Sequence, residues 1–390
     1  MKALVIAPQP FYTPRGTPFS VYYRTLVMAE NGVEVDLLTY GQGEDVDIPG
    51  VRIIRIPRFP RLGPIKTGPS SLKIFLDSVL ILQTIGHLIR NRYDFVHAHE
   101  EAVFFCRYLK PIFGFKLVYD MHSSLPQQLT NFNFTESKVL IGLCKWLEDG
   151  ALARSEAVLT ICPELADYAL SRAPIEDRHI LIENSIFEPI KLASPKAGKA
   201  TEDQPAALPQ DRPIVYYAGT FESYQGIDIV IEAFALLHQR CPDAFLLMAG
   251  GSPAQVERYH RLAMDLGLEG HCMFTGMIPK ALAQHYQAGA SVLLSPRIEG
   301  MNTPLKVYEQ LAAGIPLVAT RIPSHTQVLS DEVCFLAAPE PKEMAEAMLA
   351  ALTDHDRIEA VVTAAKALYE KKYSRPVYER KIRQMLEMLR

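Results

Sequence analysis

A chain of 390 residues, 48% apolar and 22% charged, has material for two ordinary domains, each with its own core. Its net charge of −4 argues against a nucleic-acid binder, and its six cysteines carry no C-x-x-C pair, which reads as reduced thiols in a cytosolic protein. The apolar start is cut by Pro8, Gln9 and Pro10, too early for an export core, and the longest uncharged apolar run near 72–89 is 78–89, short of the roughly 18 residues of a membrane span. The strand-like runs of the first half are 3–7, 33–39, 51–56, 95–98, 117–119, 158–161 and 180–182. Those of the second are 214–218, 245–249, 272–275, 292–294, 317–319 and 334–337. Most are continuously apolar and alternate with helical stretches, which predicts parallel strands buried on both faces between helices. Residues 188–212 are rich in Pro, Lys, Ala, Asp and Gln and read as a linker between domains 1–187 and 213–374. Residues 375–390 read as one amphipathic helix packing back toward the first domain. The expected architecture is α/β, two doubly wound Rossmann-like domains facing across a cleft, with ligands beyond the carboxyl ends of the strands.

The segment SPRIEGMNTPLKVYEQLAAG, residues 295–314, is the most informative. Thr303 suits a helix N-cap, Pro304 the first helical position, and Gly314 with Pro316 the stop. Lys306 then falls in the first turn, where the helix already carries partial positive charge. Arg297 lies upstream in the same loop. Cations around a positive dipole end suit a bound anion such as phosphate.

Other residues invite competing readings. His97, His99 and His122 end strands at an edge where ligands collect, and a metal site made of the three lacks a carboxylate or cysteine at a recognisable spacing. Asp45-Val46-Asp47 has the form of a D-x-D motif, but its polar loop reads as a solvated charge run. Arg52, Arg55, Arg58, Arg61 and Lys66 lie among apolar residues ahead of the apolar stretch 72–89, a combination suited to an anionic membrane surface.

Along the chain come the Gly16 loop with ENGVEVDLLT, then YDFVHAHE, VYDMH and IENSI, then YYAGTFESYQGIDIVIEAF, LLMAGGSP, FTGMIP and the 295–314 segment. In these motifs and their order the chain resembles a glycosyltransferase of family 4, with the GT-B fold. The resemblance implies retaining transfer of a sugar from a nucleoside-diphosphate sugar, of UDP or GDP type, to a glycan or lipid-linked acceptor. It implies no metal and no further cofactor, the diphosphate being neutralised by helix N-termini and basic side chains. Glu309 matches the family's second motif glutamate, on the donor ribose; the plainer reading is an ion pair with Lys306. The first glutamate is displaced: Met301 stands at its position, and either Glu299 or Asn302 takes over the sugar contacts. The family's basic pair is replaced by Thr220, after Gly219, and Gln225, before Gly226, so Lys306 and Arg297 must compensate, with Arg15 as a further cation. Gly16 brings backbone N–H near the donor phosphate, and Thr17 caps the next helix. Gly251 approaches the nucleoside, Met277 and Ile278 the base, and Thr303 the donor. His122 matches the active-site histidine. A sugar-nucleotide 2-epimerase and a non-catalytic nucleotide-sugar-binding scaffold of the same fold are the alternatives.

Overall fold

The computed structural model describes residues 1–13, 16–59, 71–126, 137–183, 187, 208–209 and 211–390. The continuous apolar runs become strands for the reason their pattern suggests. In β1 (Lys2–Ala7), Leu4 and Ile6 enter one core while Ala3, Val5 and Ala7 enter another on the opposite face of the sheet. A strand buried on both faces cannot alternate in polarity.

The chain forms two compact units, Met1–Lys196 with Arg375–Arg390, and Ala197–Ser374. In the first, β1 is followed by α1 (Gly16–Glu30), β2 (Glu34–Thr39), β3 (Val51–Arg55), α2 (Ser71–Arg90), β4 (Phe95–His99) and α3 (Ala102–Phe113). Then come β5 (Lys116–Met121), α4 (Lys138–Arg154), β6 (Ala157–Thr160), α5 (Pro163–Arg172) and β7 (His179–Leu181). All pairings are parallel, in the order β3-β2-β1-β4-β5-β6-β7.

The second unit runs β8 (Ile214–Ala218), a 3-10 turn (Ser223–Gln225), α6 (Ile227–His238), β9 (Phe245–Ala249), α7 (Pro253–Asp265), β10 (Cys272–Gly276) and α8 (Lys280–Ala288). It continues with β11 (Val292–Ser295), α9 (Leu305–Ala312), β12 (Leu317–Thr320), α10 (Pro323–Thr326), β13 (Phe335–Ala337), α11 (Pro341–Thr353) and α12 (His355–Lys372). Its parallel sheet has the order β10-β9-β8-β11-β12-β13. In both sheets the winding reverses beside the first strand, the Rossmann arrangement. The last helix, α13 (Arg375–Met388), buries Val377, Tyr378, Ile382, Met385 and Leu386 in the first unit.

Several local expectations are corrected. Helix α9 starts at Leu305 with Pro304 as its cap residue, and Thr303 makes no capping bond. Pro304 has ψ 133°, an extended value, so the helix begins one residue later than expected. Helix α1 begins at Gly16, which puts Thr17 inside the first turn rather than at the cap. Glu309 pairs with Lys280, 3.3 Å away, and not with Lys306. Three arginines of the basic stretch are used internally. Arg52 forks onto Asp36, Arg55 bonds the carbonyls of Phe11, Gln42 and Glu44, and Arg58 bonds that of Gly41. The helix Leu72–Arg90 is long and apolar enough to cross a membrane; its mean hydropathy is 1.6 even though Lys73 and Asp77 break the uncharged run. It packs Leu76, Leu80 and Leu88 onto the first sheet. Arg15, Arg61, Lys66 and most of the expected linker lie outside the described residues.

Candidate functional site

In the second unit β8 and β11 are neighbours at the point where the winding reverses, and both point their carboxyl ends at one edge. The turns there are glycines because nothing larger fits. A Cβ on Gly250 (φ +130°) would lie 1.8 Å from the Gly219 carbonyl oxygen, and one on Gly251 (φ +83°) 2.4 Å from the Phe221 ring. A Cβ on Gly219 would lie 2.7 Å from the Tyr217 hydroxyl and 3.6 Å from Lys306 Nζ. The bare backbone after β8 therefore borders an ammonium group.

Lys306 is the second residue of α9. Its Nζ sits 3.9 Å from the centre of the Tyr217 ring, closed off from solvent and without a hydrogen-bond partner among the described residues. Burial, reinforced by the charge of Arg297, holds its pKa well below 10.5. Arg297 is half-buried over the Tyr224 ring; its Nη1 donates to the Asn302 carbonyl at 3.0 Å, while its Nε is buried without a partner. Thr303 Oγ1 and Gln225 Oε1 are likewise buried without partners among the described residues. Two cations, a hydroxyl and the N-terminal N–H groups of α9 thus share one region with no anion among them. An uncompensated buried charge is costly, so the arrangement is one that an incoming anion stabilises.

His325 was not singled out in the sequence. Its Nε2 meets Ser295 Oγ at 2.9 Å and its Nδ1 meets Thr320 Oγ1 at 3.0 Å, tying the end of β11 to that of β12. Burial first, then its cationic neighbours, lower its pKa to about 4, so it stays neutral. Tyr217 donates to the carbonyl of Thr220 at 2.8 Å. Glu309 lies on the same helix as Lys306, whereas Glu299 and Met277 are exposed and join none of these bonds among the described residues.

The first unit has its own cluster at the matching place in its sheet. The register sets His99 beside Asp120, and His122 follows β5 directly. Asp120 is fully buried. Arg24 Nε donates to Asp120 Oδ2 at 3.0 Å, His97 Nε2 lies 2.9 Å from the same oxygen, and His122 Nε2 lies 3.3 Å from Oδ1. Arg24 also donates to Tyr378 Oη at 2.6 Å and to the Ile182 carbonyl at 3.0 Å. His99 Nδ1 meets His122 Nε2 at 3.0 Å. Despite burial, the Arg24 guanidinium above all holds the Asp120 carboxyl well below the usual range. Burial depresses His99 strongly and His122 to about 4. The Asp120 carboxylate therefore faces the Arg24 guanidinium, with His99 and His122 neutral. His97, His99 and Asp120 bring ligand atoms within 4.8 Å, so the carboxylate missing from the sequence reading is Asp120. Arg24 already holds that carboxylate, and its positive charge disfavours a cation there.

Residues 198–368 match the model of the group 1 glycosyl transferases, and residues 26–184 that of the glycosyl transferase 4-like domain. The chain belongs to glycosyltransferase family 4. The transferase is 29% identical over 290 residues to the alpha-D-kanosaminyltransferase of Streptomyces kanamyceticus, covering 72% of this chain and 73% of that one. It is 36% identical over 117 residues to the GDP-mannose-dependent alpha-(1-6)-phosphatidylinositol monomannoside mannosyltransferase of Mycolicibacterium smegmatis, covering 28% and 30%. Its fold matches that of Anabaena Alr3699/HepE in complex with UDP and glucose, with a TM-score of 0.71, 15% identity and 99% of each chain covered. The fold is GT-B, and the comparisons favour neither the epimerase nor the scaffold reading.

Proposed function

We propose that this transferase binds a UDP- or GDP-type sugar in its second unit, with Lys306 and Arg297 on the diphosphate and Glu309 on the ribose. Gly16, Gly219 and Gly251 offer backbone at close approach, Thr17, Thr220 and Thr303 polar contacts, and Met277 its backbone to the base. The bond from the anomeric carbon to the diphosphate oxygen breaks, and a bond to the acceptor oxygen forms on the same face of the sugar. The acceptor's proton passes to the departing phosphate oxygen. His122, neutral at physiological pH, hydrogen-bonds the transferred sugar, and Glu299 or Asn302 takes the remaining hydroxyls. No metal is needed, because side-chain cations and the α9 terminus neutralise the diphosphate. The acceptor is a glycan or a lipid-linked molecule of the cell envelope, met at the cytoplasmic side of an anionic membrane.

The observation that carries this reading is the closed-off Lys306 ammonium, which has no hydrogen-bond partner among the described residues. Support comes from the UDP and glucose named for the Anabaena neighbour and the GDP-mannose and phosphatidylinositol named for the mycobacterial relative. Titration calorimetry with UDP and with GDP tests it. Lys306→Met is expected to weaken binding of the preferred nucleotide by about 30-fold or more, roughly the 2 kcal/mol lost when a buried charge loses its partner. Unchanged affinity would falsify the assignment.

A further inference from the structure

The first sheet carries α1 and α13 on one face and α2, α3, α4 and α5 on the other. Helices α2, α3 and α4 pack side by side as one layer, with Leu76, Leu80, Val103 and Leu152 facing inward. Their outward sides are apolar too. On α2, Ile74, Leu82 and Ile89 are each 70% exposed and lie seven or eight residues apart, on one helix face. Ile112 of α3 is 72% exposed. On α4, Val139, Leu143 and Trp146 follow an i, i+4, i+7 spacing, with Val139 at 83% and Trp146 at 59%. The Arg107 guanidinium stacks on both Tyr108 (4.6 Å) and Trp146 (4.8 Å), which joins the α3 and α4 surfaces. Singly exposed apolar residues are ordinary; a stripe on each of two neighbouring helices, bridged by a third, is not.

The exposed charged residues of these three helices are all basic. Arg90, Lys138 and Lys145 are exposed, and so is Arg92 just past α2. Every acid of the three helices has a hydrogen-bond partner: Asp77 bonds Tyr40, Glu148 bonds Ser124 and Tyr168, and the partly exposed Asp149 is ion-paired with Arg172. We propose that the outer face of α2, α3 and α4 docks on an anionic phospholipid bilayer, with the apolar stripes in the headgroup–acyl boundary and the cations on lipid phosphates. A second copy of the chain would set like charges against each other, whereas an anionic bilayer complements both the apolar and the basic features. The proposal rests on the reading that the acceptor is met at a membrane, and its test needs neither donor nor acceptor.

Trp146 is the only tryptophan in the chain, so its fluorescence reports this face directly. Added vesicles of equimolar phosphatidylglycerol and phosphatidylcholine are expected to shift Trp146 emission to the blue, and brominated acyl chains to quench it. Partitioning should weaken at least about tenfold between low salt and about 0.5 M salt. Val139→Glu with Leu143→Glu should lower it at least about tenfold while leaving the melting temperature and UDP or GDP binding unchanged. Emission unmoved by excess vesicles overturns the proposal. So does equal, salt-insensitive binding to pure phosphatidylcholine, or a dimer in light scattering that the double substitution dissolves. Nucleotide binding is measured separately, so failure of the donor assignment leaves the vesicle result readable, and the reverse.

Discussion

On the proposed reading, Lys306 opposes stability in the unliganded protein and serves nucleotide binding. Its ammonium has no hydrogen-bond partner among the described residues, only the Tyr217 ring, so its removal relieves a cost in the unliganded protein. Lys306→Met is expected to raise unliganded stability by about 1 kcal/mol or more, as replacing buried charge by an apolar side chain does elsewhere. The same substitution should abolish the thermal shift given by nucleotide; a variant that melts lower without ligand would show that the ammonium has a stabilising partner. The neutral histidines make a second residue-scale expectation. His122 and His325 titrate near 4 in the native protein and near 6.5 when unfolded. Between those values the unfolded chain binds protons that the native one does not, so stability falls as pH drops from 6.5 toward 4. Urea unfolding across that range should show the loss, and His325→Gln should make it shallower. Lys306 was legible from sequence because helix polarity makes a first-turn cation anomalous. Arg24, Asp120 and His325 were not, because only the register of neighbouring strands and the return of distant segments bring their partners to them.

At the scale of elements, the turn after β9 is the least tolerant point of the second unit. A Cβ on Gly250 would meet the Gly219 carbonyl at 1.8 Å, and both atoms belong to backbone fixed by the sheet. Gly250→Ala is expected to destabilise the unit by roughly 3 kcal/mol or more, read as an early-melting transition, with loss of nucleotide binding. An alanine variant that melts like the wild type would mean the β8–β9 edge is looser than its geometry. The strands were legible because burial on both faces of a parallel sheet imposes continuous apolar runs, as in KALVIA and FLLMA. The helix starts were less so. Thr303 and Thr17 are good capping residues by type, yet α9 starts one residue later and α1 two residues earlier than those types predict, since local preference yields to tertiary context.

At the scale of the molecule, the first unit is not continuous in sequence. Helix α13 follows the whole second unit yet supplies Tyr378 to the Arg24 and Asp120 cluster and Ile382, Met385 and Leu386 to the core beside α1. Tyr378→Phe leaves one guanidinium N–H unsatisfied and is expected to cost about 1–3 kcal/mol. Hydrogen exchange should place that loss in β1, α1 and β5 and leave β8–β13 protected; a uniform loss would argue that the units unfold together. The amphipathic pattern of α13 was legible, but its destination needed the structure, because an apolar stripe does not name the surface it covers.

The order in which the chain is made then runs against the order in which the units are numbered. At about 5–20 residues per second, the roughly 180 residues of Ala197–Ser374 take on the order of ten to forty seconds to synthesise. Throughout that interval Arg24 and Asp120 have been made and Tyr378 has not. The second unit, uninterrupted, is complete before the ribosome supplies the last helix of the first. The N-terminal unit is therefore the one finished last, and a nascent chain stalled just past α12 would carry a complete second unit while the first still lacks α13.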